Sequence, residues 1–118
     1  MRSFSTISLS LFAAACTGES KSTDTGGTVA VNHAPTAEAG SNITQSADSA
    51  VQLSGTGSDV DNDTLTYHWA FSRIPEGSTI SDKESPFSTN HTENSNTPTF
   101  MPDKVGTYIV QLVVNDGK

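Results

Sequence analysis

The chain has 118 residues, of which 33% are hydrophobic and 7% aromatic, and its formal net charge is −7 at pH 7. That length suits one domain with a small core, and the acidic balance repels nucleic acid and anionic lipid surfaces, so nucleic acid is not expected as a partner. A single cysteine excludes an internal disulfide, and the abundance of Ser, Thr, Asn, Asp and Gly favours short strands joined by turns over packed helices.

At the amino terminus Arg2 precedes an uncharged, moderately apolar run, residues 4–15, which ends in Ala13-Ala14-Ala15 directly before Cys16. The run is too short to cross a bilayer as a permanent helix, so residues 1–15 read as a signal peptide. Small residues next to a cysteine resemble the lipobox of bacterial lipoproteins. The resemblance implies acylation of the Cys16 thiol and cleavage that makes Cys16 the first residue of the mature chain. The alternative is an ordinary secretory signal cut after Ala15, with Cys16 left as a free thiol. Acyl chains contribute about 0.8 kcal/mol per buried methylene, so a lipidated Cys16 holds the chain on a membrane without a transmembrane helix. The expected location is the cell envelope, facing the periplasm or exterior. Thr17, where Asp would signal retention in enterobacterial sorting, implies the outer membrane in a Gram-negative cell. Losing Arg2 with the signal leaves five basic against thirteen acidic residues, a net −8.

Residues 17–33 are rich in Thr, Ser and Gly, with Val29-Ala30-Val31 as the only apolar stretch. Such a segment cannot bury enough surface to fold. Residues 16–33 are therefore expected to be the lipidated cysteine and a flexible tether, which as a random coil holds the domain on the order of 20–25 Å from its anchor.

From Ala34 to Lys118 the pattern changes to period-two alternation in short runs separated by turn residues, the mark of strands with one buried face. Val51 and Leu53 form one inward pair. Leu65, Tyr67, Trp69 and Phe71 share a face, as do Tyr108, Val110, Leu112 and Val114. Ile80 and Phe100 read as single inward anchors on shorter strands, and Trp69 as the centre of the core. Ser54-Gly55-Thr56-Gly57, Pro75-Glu76-Gly77-Ser78 and residues 102–106 mark turns. The expectation is an all-β, two-sheet Greek-key sandwich of immunoglobulin-like type.

Several motifs agree with one family. Asn32-His33-Ala34-Pro35-Thr36-Ala37-Glu38-Ala39-Gly40, Leu53-Ser54-Gly55, Ser58-Asp59 onward to Asp63, and Leu65-Thr66-Tyr67 with Trp69 resemble the opening half of polycystic-kidney-disease (PKD) domains of bacterial surface proteins. Pro98-Thr99-Phe100, Pro102-Asp103, Gly106-Thr107-Tyr108 and Val113-Val114-Asn115-Asp116-Gly117 resemble the closing half. The resemblance implies a further strand after the Asn-Asp-Gly turn, paired with the Tyr108 strand. Because the sequence stops at Lys118, that strand is expected to be lacking and the Tyr108 strand to be an edge, with Ile109 and Val113 at risk of exposure. Either the chain is a fragment of a longer protein or another chain supplies the strand.

Asp59, Asp61 and Asp63 alternate along one loop and could converge on a hard cation such as calcium. Thr64 and Ala70 stand where an EF-hand needs Gly and a bidentate Glu, so the loop is not an EF-hand. The family topology implies that Asp116 lies at the same end, and some relatives bind calcium there. A structural calcium ion at Asp59, Asp61, Asp63 and Asp116 is thus the one cofactor considered, and none is required. The plain alternative is that these aspartates cap a strand and form Asx turns. His33, His68 and His91 lack zinc-site spacing. Glu76, Asp82, Glu84 and Glu93 read as solvated surface acids, not a glycosidase pair, and no nucleophile elbow or phosphate-binding glycine pattern occurs. The Asn42, Asn62 and Asn90 sequons are discounted for a bacterial chain. Residues 81–96 form a long polar stretch that reads as a binding loop or a tolerated, mobile insertion. No enzyme is expected. The favoured role is a membrane-anchored spacer or adhesive module for a protein or glycan ligand. The alternative is the amino-terminal accessory domain of a longer lipidated protease or glycosidase.

Overall fold

A computed structural model describes residues 4–9, 31–46, 49–80 and 86–118. Cys16 and residues 17–30 of the expected tether lie outside the described residues, as do Asp82 and Glu84. The described residues are all-β: β1 (Phe4–Leu9), β2 (Thr36–Glu38), β3 (Ile43–Ser46), β4 (Val51–Gln52), β5 (Thr56–Ser58), β6 (Thr66–Arg73), β7 (Thr99–Phe100) and β8 (Thr107–Asn115).

The main layer is a four-stranded sheet in the order β3-β1-β8-β6. β6 and β8 are its long members, rich in the β-branched and aromatic residues that suit a pleated, half-buried surface. They pair antiparallel, Trp69 opposite Leu112 and Phe71 opposite Val110, with an irregularity between Phe71 and Arg73. The facing layer is built from two short pairs, β2 with β5 and β4 with β7. The β4–β7 ladder continues beyond its two paired residues, because the Leu53 N–H donates to the Pro98 carbonyl (2.9 Å) and the Gly55 N–H to the Asn96 carbonyl (2.8 Å). Alternation along β8 sends Tyr108, Val110, Leu112 and Val114 between the layers, where they are buried with Val51, Leu53, Trp69 and Phe100. Leu65, Tyr67 and Phe71 are half-buried and pack on this core from its margin.

Trp69 is 1% exposed. Its indole N–H donates to the Ser95 carbonyl (2.7 Å), so burial leaves no unpaired donor. The Asn90 side chain acts as a substitute strand residue beside it: Oδ1 accepts the Trp69 backbone N–H (2.8 Å) and Nδ2 donates to the Trp69 carbonyl (2.9 Å). Below the ring lies Gly55, where a Cβ would stand 2.6 Å from Trp69 Cζ2 and 2.7 Å from Leu112 Cδ2. Here glycine serves a close approach of backbone to indole.

Four expectations are revised. Thr56 and Gly57, assigned to a turn, belong to β5, since their backbone groups pair with β2. Ile80 packs half-buried on the core but lies outside any strand. The described part of the long polar stretch, residues 86–96, is no idle insertion: Phe87 is buried and stacks on Phe71 with centroids 4.9 Å apart, and Asn90 and Ser95 hold Trp69. Finally, β8 is not an edge over its first half. β1 runs parallel to it from Thr6 opposite Thr107 to Leu9 opposite Val110, and antiparallel to β3 on its other side.

At the start of β8 the Tyr108 hydroxyl accepts the Lys104 N–H (3.0 Å) and lies within donating distance of the Asp103 carboxylate (3.0 Å) and the Lys104 carbonyl (2.9 Å). Asp103 also accepts hydrogen bonds from the Ser78 hydroxyl (2.6 Å), the Thr79 N–H and the Thr79 hydroxyl (2.9 Å). This clasp ties the turn after β7 to the segment after β6. Desolvation pushes the Asp103 carboxyl up, but the bonds from Ser78, Thr79 and Tyr108 outweigh it and hold it well below the usual carboxylate range. Burial raises the Tyr108 phenol, which stays neutral.

Two outcomes are expected. Gly55→Ala should destabilise the domain by about 1–3 kcal/mol through overpacking against the indole, read by denaturant unfolding with Trp69 fluorescence. A lowered folded-state pKa stabilises fully above the unfolded carboxyl value, about 3.9, and is lost as pH falls further. Asp103→Ala should therefore lower Tm at pH 7, and its gap from the unaltered chain should close on acidification below about pH 4.

Candidate functional site

The loop between β5 and β6 is folded by its own side chains. Asp59 Oδ1 accepts the backbone N–H groups of Asp61 (2.7 Å) and Asp63 (3.4 Å), an Asx turn that turns the following carboxylates back on the first. Asn62 completes the bend at φ 60°, in the left-handed region that Asn tolerates. One carboxylate oxygen each from Asp59, Asp61 and Asp63 thereby lies within 4.8 Å of the others. Val60, at the apex, is exposed.

The end of β8 and the entry to β2 close the site from two sides. Asp116 is buried, takes the Asn32 side-chain N–H (2.8 Å) and accepts the Lys118 N–H (3.0 Å). The Lys118 ammonium stands 3.3 Å from Asp63. His33 donates its backbone N–H to Asp61 (2.7 Å), and its ring Nδ1 is 3.1 Å from both carboxylate oxygens. These bonds set the charge state. Asp61 is held below the ordinary carboxylate range by the backbone and then the side-chain hydrogen bond of His33, and Asp116 by the Asn32 side chain and then the Lys118 N–H. Both stay ionised at neutral pH.

The structure thus brings Asp59, Asp61 and Asp63 into one group. Asp116 sits at the same end of the sandwich but is tied to Asn32 and Lys118, apart from the three-carboxylate group. Asn32 and His33, which were assigned to the tether, are fastened to the site. The signal for this lay in the resemblance itself, since the matching motif starts at Asn32. The contribution of Lys118 carried no signal, because only folding places the end of β8 beside the loop.

An all-oxygen donor set suits a hard divalent cation better than zinc. One observation tests the fit: Asp59 Oδ2 is buried with no hydrogen-bond partner, and an orphaned carboxylate oxygen costs free energy unless a cation or donor meets it. The residues fit a calcium ion, with Asp59, Asp61 and Asp63 as ligands. Lys118 and His33 are the groups such an ion would displace.

The remaining candidates lie elsewhere. His68 and His91 stack with centroids 4.0 Å apart, away from the His33–Asp61 pair. Glu76 and Glu93 are exposed, which is the position of solvated acids.

Comparison with known proteins agrees with this architecture. A family model described as "K319L-like, PKD domain" matches residues 39–118, more than half of the chain. No curated protein and no solved structure gives a match. The matched residues hold both long strands, the acidic loop and the Tyr108 clasp, and the chain belongs to the K319L-like PKD domain family.

Proposed function

We propose that the chain is a non-catalytic module of the cell envelope, anchored through a lipidated Cys16, which acts as a spacer or as an adhesive surface for a protein or glycan. Its coarse part follows from the family, because PKD domains are generally non-catalytic modules. The observation that carries the reading is the use of polar side chains for construction: Asp103, Asn90 and Asn32 all hold strand ends or the tryptophan in place. For the anchor, the support is the run of small residues Ala13-Ala14-Ala15 before Cys16. A calcium ion bound by Asp59, Asp61 and Asp63 would stiffen the loop.

Metabolic labelling with a fatty-acid analogue is expected to mark the native protein and to leave a Cys16→Ala variant unmarked; equal labelling would remove the anchor. Calcium at about one hundred times its dissociation constant adds about 2.7 kcal/mol, so Tm should rise on the order of 10 °C. Asp61→Ala should abolish the rise, and coincident melting curves for the unaltered chain with and without calcium would discard the ion.

A further inference from the structure

His68 and His91 stand far apart in the chain, and their spacing carries no zinc signature. Folding makes them neighbours. His68 is exposed on the outer face of β6, and His91 is exposed on the segment that borders β6 on the side opposite β8. The Tyr67 N–H donates to the Thr92 carbonyl (3.0 Å) and the His91 N–H to the Tyr67 carbonyl (2.9 Å), which fixes the two backbones against each other. The imidazole rings stack with centroids 4.0 Å apart and planes 30° from parallel. We propose that His68 and His91 form a two-imidazole site for a late first-row divalent metal ion, Cu(II), Ni(II) or Zn(II), which staples residues 90–92 to β6.

Imidazole nitrogen is the donor that these ions favour, with Cu(II) bound more tightly than Ni(II) or Zn(II) at a given site. Two nitrogens at about 2.0–2.1 Å from one ion lie no more than about 4 Å from each other, and centroids 4.0 Å apart already put the rings in that range. Metal bonds lie in the plane of each ring, so the stacked rings open to converge on an ion. Rotation about the bond from Cβ to the ring is soft, and both side chains face water, so opening them disturbs no core contact. Residues 64–72 and 105–115 hold no Asp, Glu, Lys or Arg, so no fixed charge on either long strand repels the ion or competes for it. The donor set separates this pair from the three aspartates of the acidic loop, whose oxygens suit a hard cation.

The position gives the ion a structural consequence. Asn90, one residue before His91, completes the Trp69 backbone, and Ser95 takes the indole N–H. An ion held by one ring from β6 and one from this segment therefore locks the cover of the tryptophan. The site depends on neither the lipid anchor nor calcium.

The test uses the full-length chain carrying Cys16→Ser, which removes the thiol as a competing soft ligand. Ni(II) is titrated by calorimetry in excess calcium, a hard ion that competes for carboxylates and not for imidazoles. One tight ion per chain is expected. His68→Gln and His91→Asn should each weaken it at least about tenfold, because losing one of two linked donors removes the avidity of the pair, and the double variant should bind no more weakly than either single one. Asn suits the φ of 62° at position 91, and Trp69 emission reports whether each variant keeps the indole covered. No saturable binding, two ions of equal affinity, or a variant that binds as tightly as the unaltered chain overturns the proposal. A second measurement needs no change at either histidine. Diethyl pyrocarbonate acylates exposed imidazoles, and at ten times the dissociation constant about one site in eleven stays free. Ni(II) should therefore slow modification of His68 and His91 together by about tenfold, read by peptide mass, and an unchanged rate at either ring overturns the shared site.

Discussion

The seating of Trp69 between the two layers is the constraint on which the other contacts depend. An indole brings one of the largest apolar surfaces available to a small domain, and a chain of this size has little stability in reserve. Its burial makes demands in three directions. Gly55 must have no side chain, because the ring occupies the space where a Cβ would lie. Ser95 must offer its carbonyl to the indole N–H, and Asn90 must complete the Trp69 backbone. The segment between β6 and β7 is thus recruited to the core, and Phe87 follows it inward to stack on Phe71.

From that centre β8 carries order to both ends of the sandwich. One end is closed by the Tyr108 hydroxyl and the Asp103 carboxylate, which bind the segments after β6 and β7 to the strand. At the other end Asp116 and Lys118 continue the same strand into the acidic loop. The loop and the clasp therefore share a rigid axis. At the acidic end His33, Asn32 and Lys118 fasten the loop and the end of β8, and a cation held by the three aspartates would take the place of His33 and Lys118. Such an arrangement suits a module that presents a surface, because its polar groups hold backbone in place and leave the outer faces of the strands available.

Much of the fold was legible because period-two alternation needs no tertiary knowledge: Tyr108, Val110, Leu112 and Val114 are buried as a set, while the intervening Ile109, Gln111 and Val113 are only half-buried. Ala37, Ala39 and Phe87 are equally part of the core but gave no sign. Two are small residues in a polar stretch, and the third is surrounded by Ser, Pro and Thr, so no local pattern distinguishes them from surface. For the acidic loop, the spacing of Asp59, Asp61 and Asp63 was informative because alternate residues joined by an Asx turn can converge. Asn32 and His33 looked like the end of a stalk, since their value lies in partners 84 and 28 residues away.

Composition, alternation and turn chemistry determined, by themselves, that this is an all-β domain centred on its only tryptophan, with an acidic loop before the tryptophan strand. These are local properties, set by which side chains each few residues present to water. The tertiary structure alone decided which strand lies beside β8, that residues 86–96 close over the indole, and that Lys118 and His33 meet the carboxylates of the loop. Each of these requires two distant segments to meet, and the free energy that selects the meeting comes from area buried and hydrogen bonds completed across the whole core, which no single segment contains.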